Sequence, residues 1–145
     1  MAYWRLYYHI VWATTNRLPL ITPRIEGRLY ELITARCVHE KGHLYAVNGM
    51  ADHVHVVVSI PPTILIANFI QRIKGSSSHF INVEFGAPFK WQTGYGIFSV
   101  GPHGLKTVSE YVNRQKEHHA AGTLIESLEH TTNEEDGPIA TSGAG

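Results

Sequence analysis

Two short stretches carry side chains able to do phosphate chemistry. In Ala51-Asp52-His53-Val54-His55-Val56 two imidazoles are separated by one apolar residue. Side chains on a strand alternate between faces, so His53 and His55 project to one side while Val54, Val56 and Val58 point to the other. Two neutral imidazoles so placed can fill adjacent coordination positions of a divalent cation. The same spacing also suits two ordinary polar residues on a half-exposed strand, and by itself it leaves both uses open.

The second stretch is Tyr111-Val112-Asn113-Arg114-Gln115-Lys116-Glu117-His118. On a helix Tyr111, Gln115 and His118 form one stripe. A phenol relieved of its proton can attack a phosphodiester and form a covalent phosphotyrosine. Gln115, one turn on, can give an oxygen to a metal that polarises the same phosphate. An interfacial tyrosine beside a solvated glutamine has this spacing too. Arg17, Arg72, Lys74 and Lys90 are candidates for holding phosphates, with Trp91, Tyr95 and Phe98 nearby for stacking on bases. Tyr95 and Phe98 read better as core, because they sit in the apolar run expected to form the last strand. No GxxxxGK[ST] loop occurs, and no Ser-His-Asp triad can be assembled.

The elements that must position these residues can be read from periodicity. Trp4 to Thr14 is rich in Tyr, Trp, Val and Ile and ends at Asn16-Arg17-Leu18-Pro19, as a strand would. After Pro23, the residues Ile25, Leu29, Leu32, Ile33 and Cys37 keep helical spacing up to Lys41-Gly42. His43 to Met50 and His53 to Ile60 read as an antiparallel hairpin that Pro61-Pro62 stops. A second helix is expected from about Thr63 to about Ser78, with continuation through Phe80 and Ile81 left open, then a loop and a short strand within Phe89 to Val100. A third helix covers Leu105 to Ala121. The order βαββαβ plus a C-terminal helix predicts an α+β, ferredoxin-like antiparallel sheet with helices on one face, the added helix carrying Tyr111.

At 145 residues the chain suits one domain, expected over residues 1–121, with an acidic and largely disordered tail over residues 122–145. The net charge is zero, but all twelve Lys and Arg precede position 122 and five of the twelve acids follow it, so residues 1–121 carry +5. A basic body favours polyanionic partners. No apolar stretch approaches the roughly 20 residues of a membrane helix, and no signal-peptide pattern opens the chain. A lone cysteine, Cys37, suits the cytoplasm and reads as a core filler rather than a reactive thiol.

Together, ADHVHVVVSIPP, FIQRIKGSSSHFIN, WQTGYGIFSV and VSEYVNRQKEHH resemble the small single-tyrosine transposases of bacterial insertion sequences, of the HUH nuclease group, over about Tyr3 to Ala121. The resemblance implies that His53-Val54-His55 is the metal-binding pair, with Gln115 as a further ligand and Tyr111 as the nucleophile. It also implies Mg2+ or Mn2+ as cofactor, and single-stranded DNA with subterminal hairpins as substrate. It further implies a homodimer whose active sites combine His53 and His55 of one subunit with Tyr111 and Gln115 of the other. Two other readings fit the residues: a hydrolytic metal phosphoesterase with a structural Tyr111, and a non-catalytic binder of single-stranded or hairpin nucleic acid.

Overall fold

The computed structural model describes residues 2–125 together with residues 128 and 129. Its elements run β1 (Tyr7–Ala13), α1 (Pro23–His39), β2 (His43–Met50), β3 (His53–Ser59), α2 (Ile66–Phe85), β4 (Gly96–Val100), α3 (Leu105–Asn113) and α4 (Gln115–Ala121), with a 3-10 turn at Thr15–Arg17. The strands form one antiparallel sheet in the order β2-β3-β1-β4. That order defines the ferredoxin-like sandwich expected from the chain's alternation of elements. Among the described residues no helix is long and apolar enough to cross a membrane.

The pleat sorts side chains into two layers. Ile10 and Trp12 of β1 join Val54, Val56 and Val58 of β3 on one face, where Ile25, Leu29 and Ile33 of α1 and Phe69, Ile70 and Ile73 of α2 bury them. Cys37 lies fully buried in this layer, and burial pushes its thiol up to about 12. On the other face α3 packs Tyr111 and Val112 against Ala46 of β2 and Val57 of β3. Both faces of β3 are therefore covered, and every one of its residues is buried.

Three boundaries differ from the sequence reading. β1 begins at Tyr7 rather than Trp4. The second helix starts later and runs on to Phe85, with Ile81 buried in the core and Ser77 receiving the Trp91 indole N–H, while the Ser77 and Ser78 hydroxyls bond back to the Lys74 carbonyl. Tertiary packing thus overrides the weak helix preference of Gly75-Ser76-Ser77-Ser78. The third helix is two helices, broken at Arg114, whose φ and ψ are −101° and 22°. Asn48 of β2 donates its amide N–H to the Asn113 carbonyl at 3.0 Å, giving that helix-end carbonyl a partner outside the helix.

The β2-β3 hairpin depends on Gly49. A Cβ there would stand 2.1 Å from the His53 carbonyl oxygen and 2.9 Å from Val54 Cα, so backbone would have to move. Gly49→Ala should therefore destabilise the fold at least as much as Val56→Ala, for which lost burial costs about 1–3 kcal/mol. Urea unfolding measures both, and a Gly49→Ala protein as stable as wild type would show that the hairpin has slack.

Candidate active site

The ladder brings together side chains far apart in sequence. His55 pairs with Val11 and His53 with Ala13 across β1, so both imidazoles lie on the face covered by α3 and α4. His53 and His55 are 2% and 0% exposed, with ring centroids 5.0 Å apart. They are far more enclosed than a half-exposed strand would leave them.

His53 is held from behind by Asp52, whose Oδ1 lies 2.7 Å from Nδ1. A carboxylate only accepts, so the ring proton is on Nδ1 and Nε2 carries the lone pair. Burial alone would raise the Asp52 carboxyl, but His53 and the Arg17 guanidinium, 3.3 Å away, hold it below its ordinary value. His53 Nε2 is buried and has no hydrogen-bond partner among the described residues, as are Gln115 Oε1 and His119 Nε2. Unsatisfied buried acceptors of this kind are costly unless something cationic or protic meets them.

His53 Nε2 and His119 Nε2 face one point, at which Glu129 places its carboxylate. Its Oε1 lies 3.2 Å from His55 Nε2 and 3.5 Å from His53 Nε2, while Gln115 Nε2 donates to both oxygens at 3.1 Å. Tyr111 donates its hydroxyl proton to Glu129 Oε2 at 2.5 Å and accepts from the Ile125 N–H at 3.1 Å. The kink at Arg114 leaves Tyr111 and Gln115 both directed here, and His118 stacks on the Tyr111 ring at 4.5 Å. Burial, then the bond to Glu129, pushes the Tyr111 hydroxyl up to about 12. Burial opposes ionisation of Glu129 as well, yet the His53 and His55 rings and the phenol outweigh it and keep the carboxyl well below its usual range. His53, His55 and Glu129 offer ligand atoms within 4.8 Å of one another, a set whose chemistry fits a divalent cation, with the Gln115 amide alongside.

Glu129, His119, Asp52 and His9 belong to this site and were absent from the sequence reading. Strand alternation places His9 with Val11 and Ala13 on the imidazole face once the register is known. Glu129 had no local signal and counted only as tail charge. Of the tail expected to be largely disordered over residues 122–145, residues 122–125, 128 and 129 are described, and the rest of that expectation lies outside the described residues.

The basic candidates separate. Arg17 stands at the rim through Asp52, in an unusual left-handed backbone with φ 51°. Arg72 pairs with Glu40 at 3.0 Å on the α1-α2 side, and Lys74 donates to the carbonyls of Gln92 and Gly94 at 2.7 and 2.9 Å. Lys90 is exposed beside an open cavity of about 470 Å³ that α2 and residues 90–95 line. Trp91 is buried edge-on against Trp12 and Phe89 and is core; Tyr95 packs partly buried against that core, whereas Phe98 stacks on His9.

A ferredoxin-like sheet presents an imidazole pair, an amide and a phenol to one point, a set suited to phosphate chemistry, and comparison with known proteins makes the class specific. The profile of the family described as "Transposase IS200 like" matches residues 2–115, and the chain belongs to that family. It is similar to the transposase of insertion sequence element IS200 from Salmonella typhimurium, 27% identical over 129 residues and 84% of each chain. It is also similar to the ISDra2 transposase TnpA of Deinococcus radiodurans, 21% identical over 119 residues, 77% of this chain and 85% of that one. Two solved structures share the fold. One is a transposase crystal structure from Deinococcus radiodurans (TM-score 0.65, 23% identity, 79% of this chain and 95% of that chain). The other is a REP-associated tyrosine transposase bound to a REP hairpin (TM-score 0.61, 14% identity, 86% and 76%). Membership makes the chain a DNA-binding enzyme of DNA transposition.

Buried neutral imidazoles make stability depend on pH. Burial, then the neighbouring His55, lowers the His9 pKa to about 3, and burial lowers that of His55 as well. An unfolded histidine titrates near ~6.5, so the unfolded chain takes up protons that the folded one refuses. Stability is full above that value and falls as the pH drops towards 3, by about 1.4 kcal/mol per pH unit for each such group. Urea midpoints between neutral and mildly acidic pH should fall less steeply in His9→Phe than in wild type. Identical slopes would mean that His9 is not held neutral.

Proposed function

We propose that the chain cleaves and rejoins single-stranded DNA through a 5′-phosphotyrosine on Tyr111, with Mg2+ or Mn2+ held by His53, His55 and Gln115. The observation that carries this reading is convergence: the phenol, the amide and both imidazole Nε2 atoms address the point where the Glu129 carboxylate lies. A phenol so placed favours a covalent intermediate over direct hydrolysis, in which Tyr111 would have no chemical part.

The Tyr111 oxygen attacks phosphorus, the bond to the 3′ oxygen breaks, and the freed 3′ oxygen takes a proton. The Tyr111 proton has an acceptor in place at Glu129 Oε2. The phosphotyrosine conserves the energy of the broken bond, so a 3′ hydroxyl can reverse the step and reseal a strand without nucleotide hydrolysis. A bound divalent cation supplies Lewis-acid polarisation of the phosphate. Two imidazoles with an amide suit Mn2+ more readily than Mg2+, which prefers oxygen ligands.

Arg17, at the rim, is best placed to hold a backbone phosphate. Lys90 is free to meet DNA further out, whereas Arg72 and Lys74 would have to leave their present partners to do so. The hairpin in the REP-associated relative supports hairpin recognition as the mode of end selection. Transposition brings two ends together, which supports a homodimer working in the cytoplasm. In the single chain α3 docks on its own sheet; the Gly101 to Gly104 connection would let the same helix dock on a partner's sheet, with His53 and His55 of one subunit serving Tyr111 and Gln115 of the other.

End-labelled single-stranded element ends incubated with Mn2+ should give a DNA-protein band on a denaturing gel. Tyr111→Phe should lose it while hairpin binding stays within a few-fold, and His53→Ala and a chelator should abolish it too. An undiminished adduct in Tyr111→Phe would remove this residue from the mechanism. Mixing His53→Ala with Tyr111→Phe should restore activity if sites are shared, whereas a mixture that stays inactive after verified subunit exchange would mean that each chain closes its own site.

A further inference from the structure

The two imidazoles at the candidate metal position are held from behind by different partners. Asp52 accepts from His53 Nδ1 and permits one tautomer only. His55 Nδ1 has no carboxylate behind it; 2.8 Å away lies Nε2 of His9, a residue of β1 with no solvent exposure. The two rings lie parallel, 2° apart with centroids at 5.1 Å, and Phe98 stacks on the far side of His9 at 5.7 Å.

We propose that His9 is a positioning residue for His55, and that its Nε2 serves as a reversible partner that keeps His55 Nδ1 hydrogen-bonded in either tautomer. The proposal rests on the metal reading given above. In the present arrangement Glu129 Oε1 lies 3.2 Å from His55 Nε2 and can only accept, so His55 carries its proton on Nε2 and accepts at Nδ1 from His9 Nε2–H. A cation that takes the Nε2 lone pair requires the proton on Nδ1, and the bond to His9 then runs the other way. Each ring holds one proton before and after, so the reversal changes no net charge. It shifts the proton of His9 from Nε2 to Nδ1, an atom buried without a partner among the described residues. That atom lacks a partner among the described residues in both directions, and what favours the resting one is the Glu129 carboxylate, which accepts from His55 Nε2 until a cation takes that lone pair. A carboxylate in place of His9 would accept only and would lock the ring, as Asp52 does His53.

Glutamine can place an amide near the position of an imidazole Nε2, whereas asparagine reaches only the Nδ1 position and phenylalanine keeps the stack with no polar atom. Two-bond 15N–1H correlation spectra of the full chain, labelled in histidine, would read the His55 tautomer without metal and with Zn2+ as a diamagnetic probe. Calorimetry would give Zn2+ affinity. Wild type should show His55 as the Nε2–H tautomer alone and the Nδ1–H tautomer with Zn2+. His9→Phe and His9→Asn should mix the tautomers and weaken Zn2+ binding by about 10–100-fold. His9→Gln should recover most of both. Unchanged tautomer and affinity in a folded His9→Phe would overturn the proposal, as would a His9→Gln no better than His9→Asn. Failure of wild type to bind Zn2+ would instead overturn the metal reading and the reversal with it, while the metal-free spectra would still judge whether His9 holds the ring.

Discussion

Every residue of β3 is buried, yet two of its seven are histidines. The pleat resolves this by sending Val54, Val56 and Val58 into the main core and His53 and His55 to the other side, where each ring nitrogen needs a partner or a purpose. Asp52 and His9 satisfy the inner nitrogens. The outer ones face α3, α4 and Glu129, and the position of the phenol follows from how those helices pack. A shift of register by one residue would exchange the layers, burying valines under α3 and driving imidazoles into the core.

The docking of α3 and α4 is the second requirement. Apolar contact of Tyr111 and Val112 with Ala46 and Val57 sets the distance. Polar ties set the rotation: Asn48 reaches the Asn113 carbonyl, and Lys116 donates to Asn48 Oδ1 at 2.8 Å, to the Gly49 carbonyl at 3.1 Å and pairs with Glu26 of α1 at 3.1 Å. Gly49 therefore serves twice, permitting the close approach of β2 to β3 and offering its carbonyl to the helix that carries the site. The break at Arg114 lies between Tyr111 and Gln115, and neither is turned away by it.

Much of this was legible from residue order. Alternation in β3 was enough to separate imidazoles from valines, and helical spacing was enough to align Tyr111 with Gln115. The ferredoxin-like class followed from the succession of elements. What escaped the sequence depends on contacts between distant segments. His9 joins the site only through the ladder between β1 and β3. Glu129 joins it only because the chain turns back after Gly122, where φ is 67°. The break at Arg114 coincides with the bond from Asn48, 65 positions away. Arg72 and Lys74 looked free because the acceptors that engage them, Glu40 and two loop carbonyls, are adjacent only after folding.

In the proposed mechanism the buried imidazole pair, the amide and the phenol share one divalent cation and one phosphate. Crystals soaked in Mn2+ test it most directly, through the anomalous scattering of the metal. One strong peak is expected within bonding distance of His53 Nε2, His55 Nε2 and the Gln115 amide oxygen, on the side facing Tyr111. A peak elsewhere, or none in a folded crystal that tolerates the soak, would contradict it.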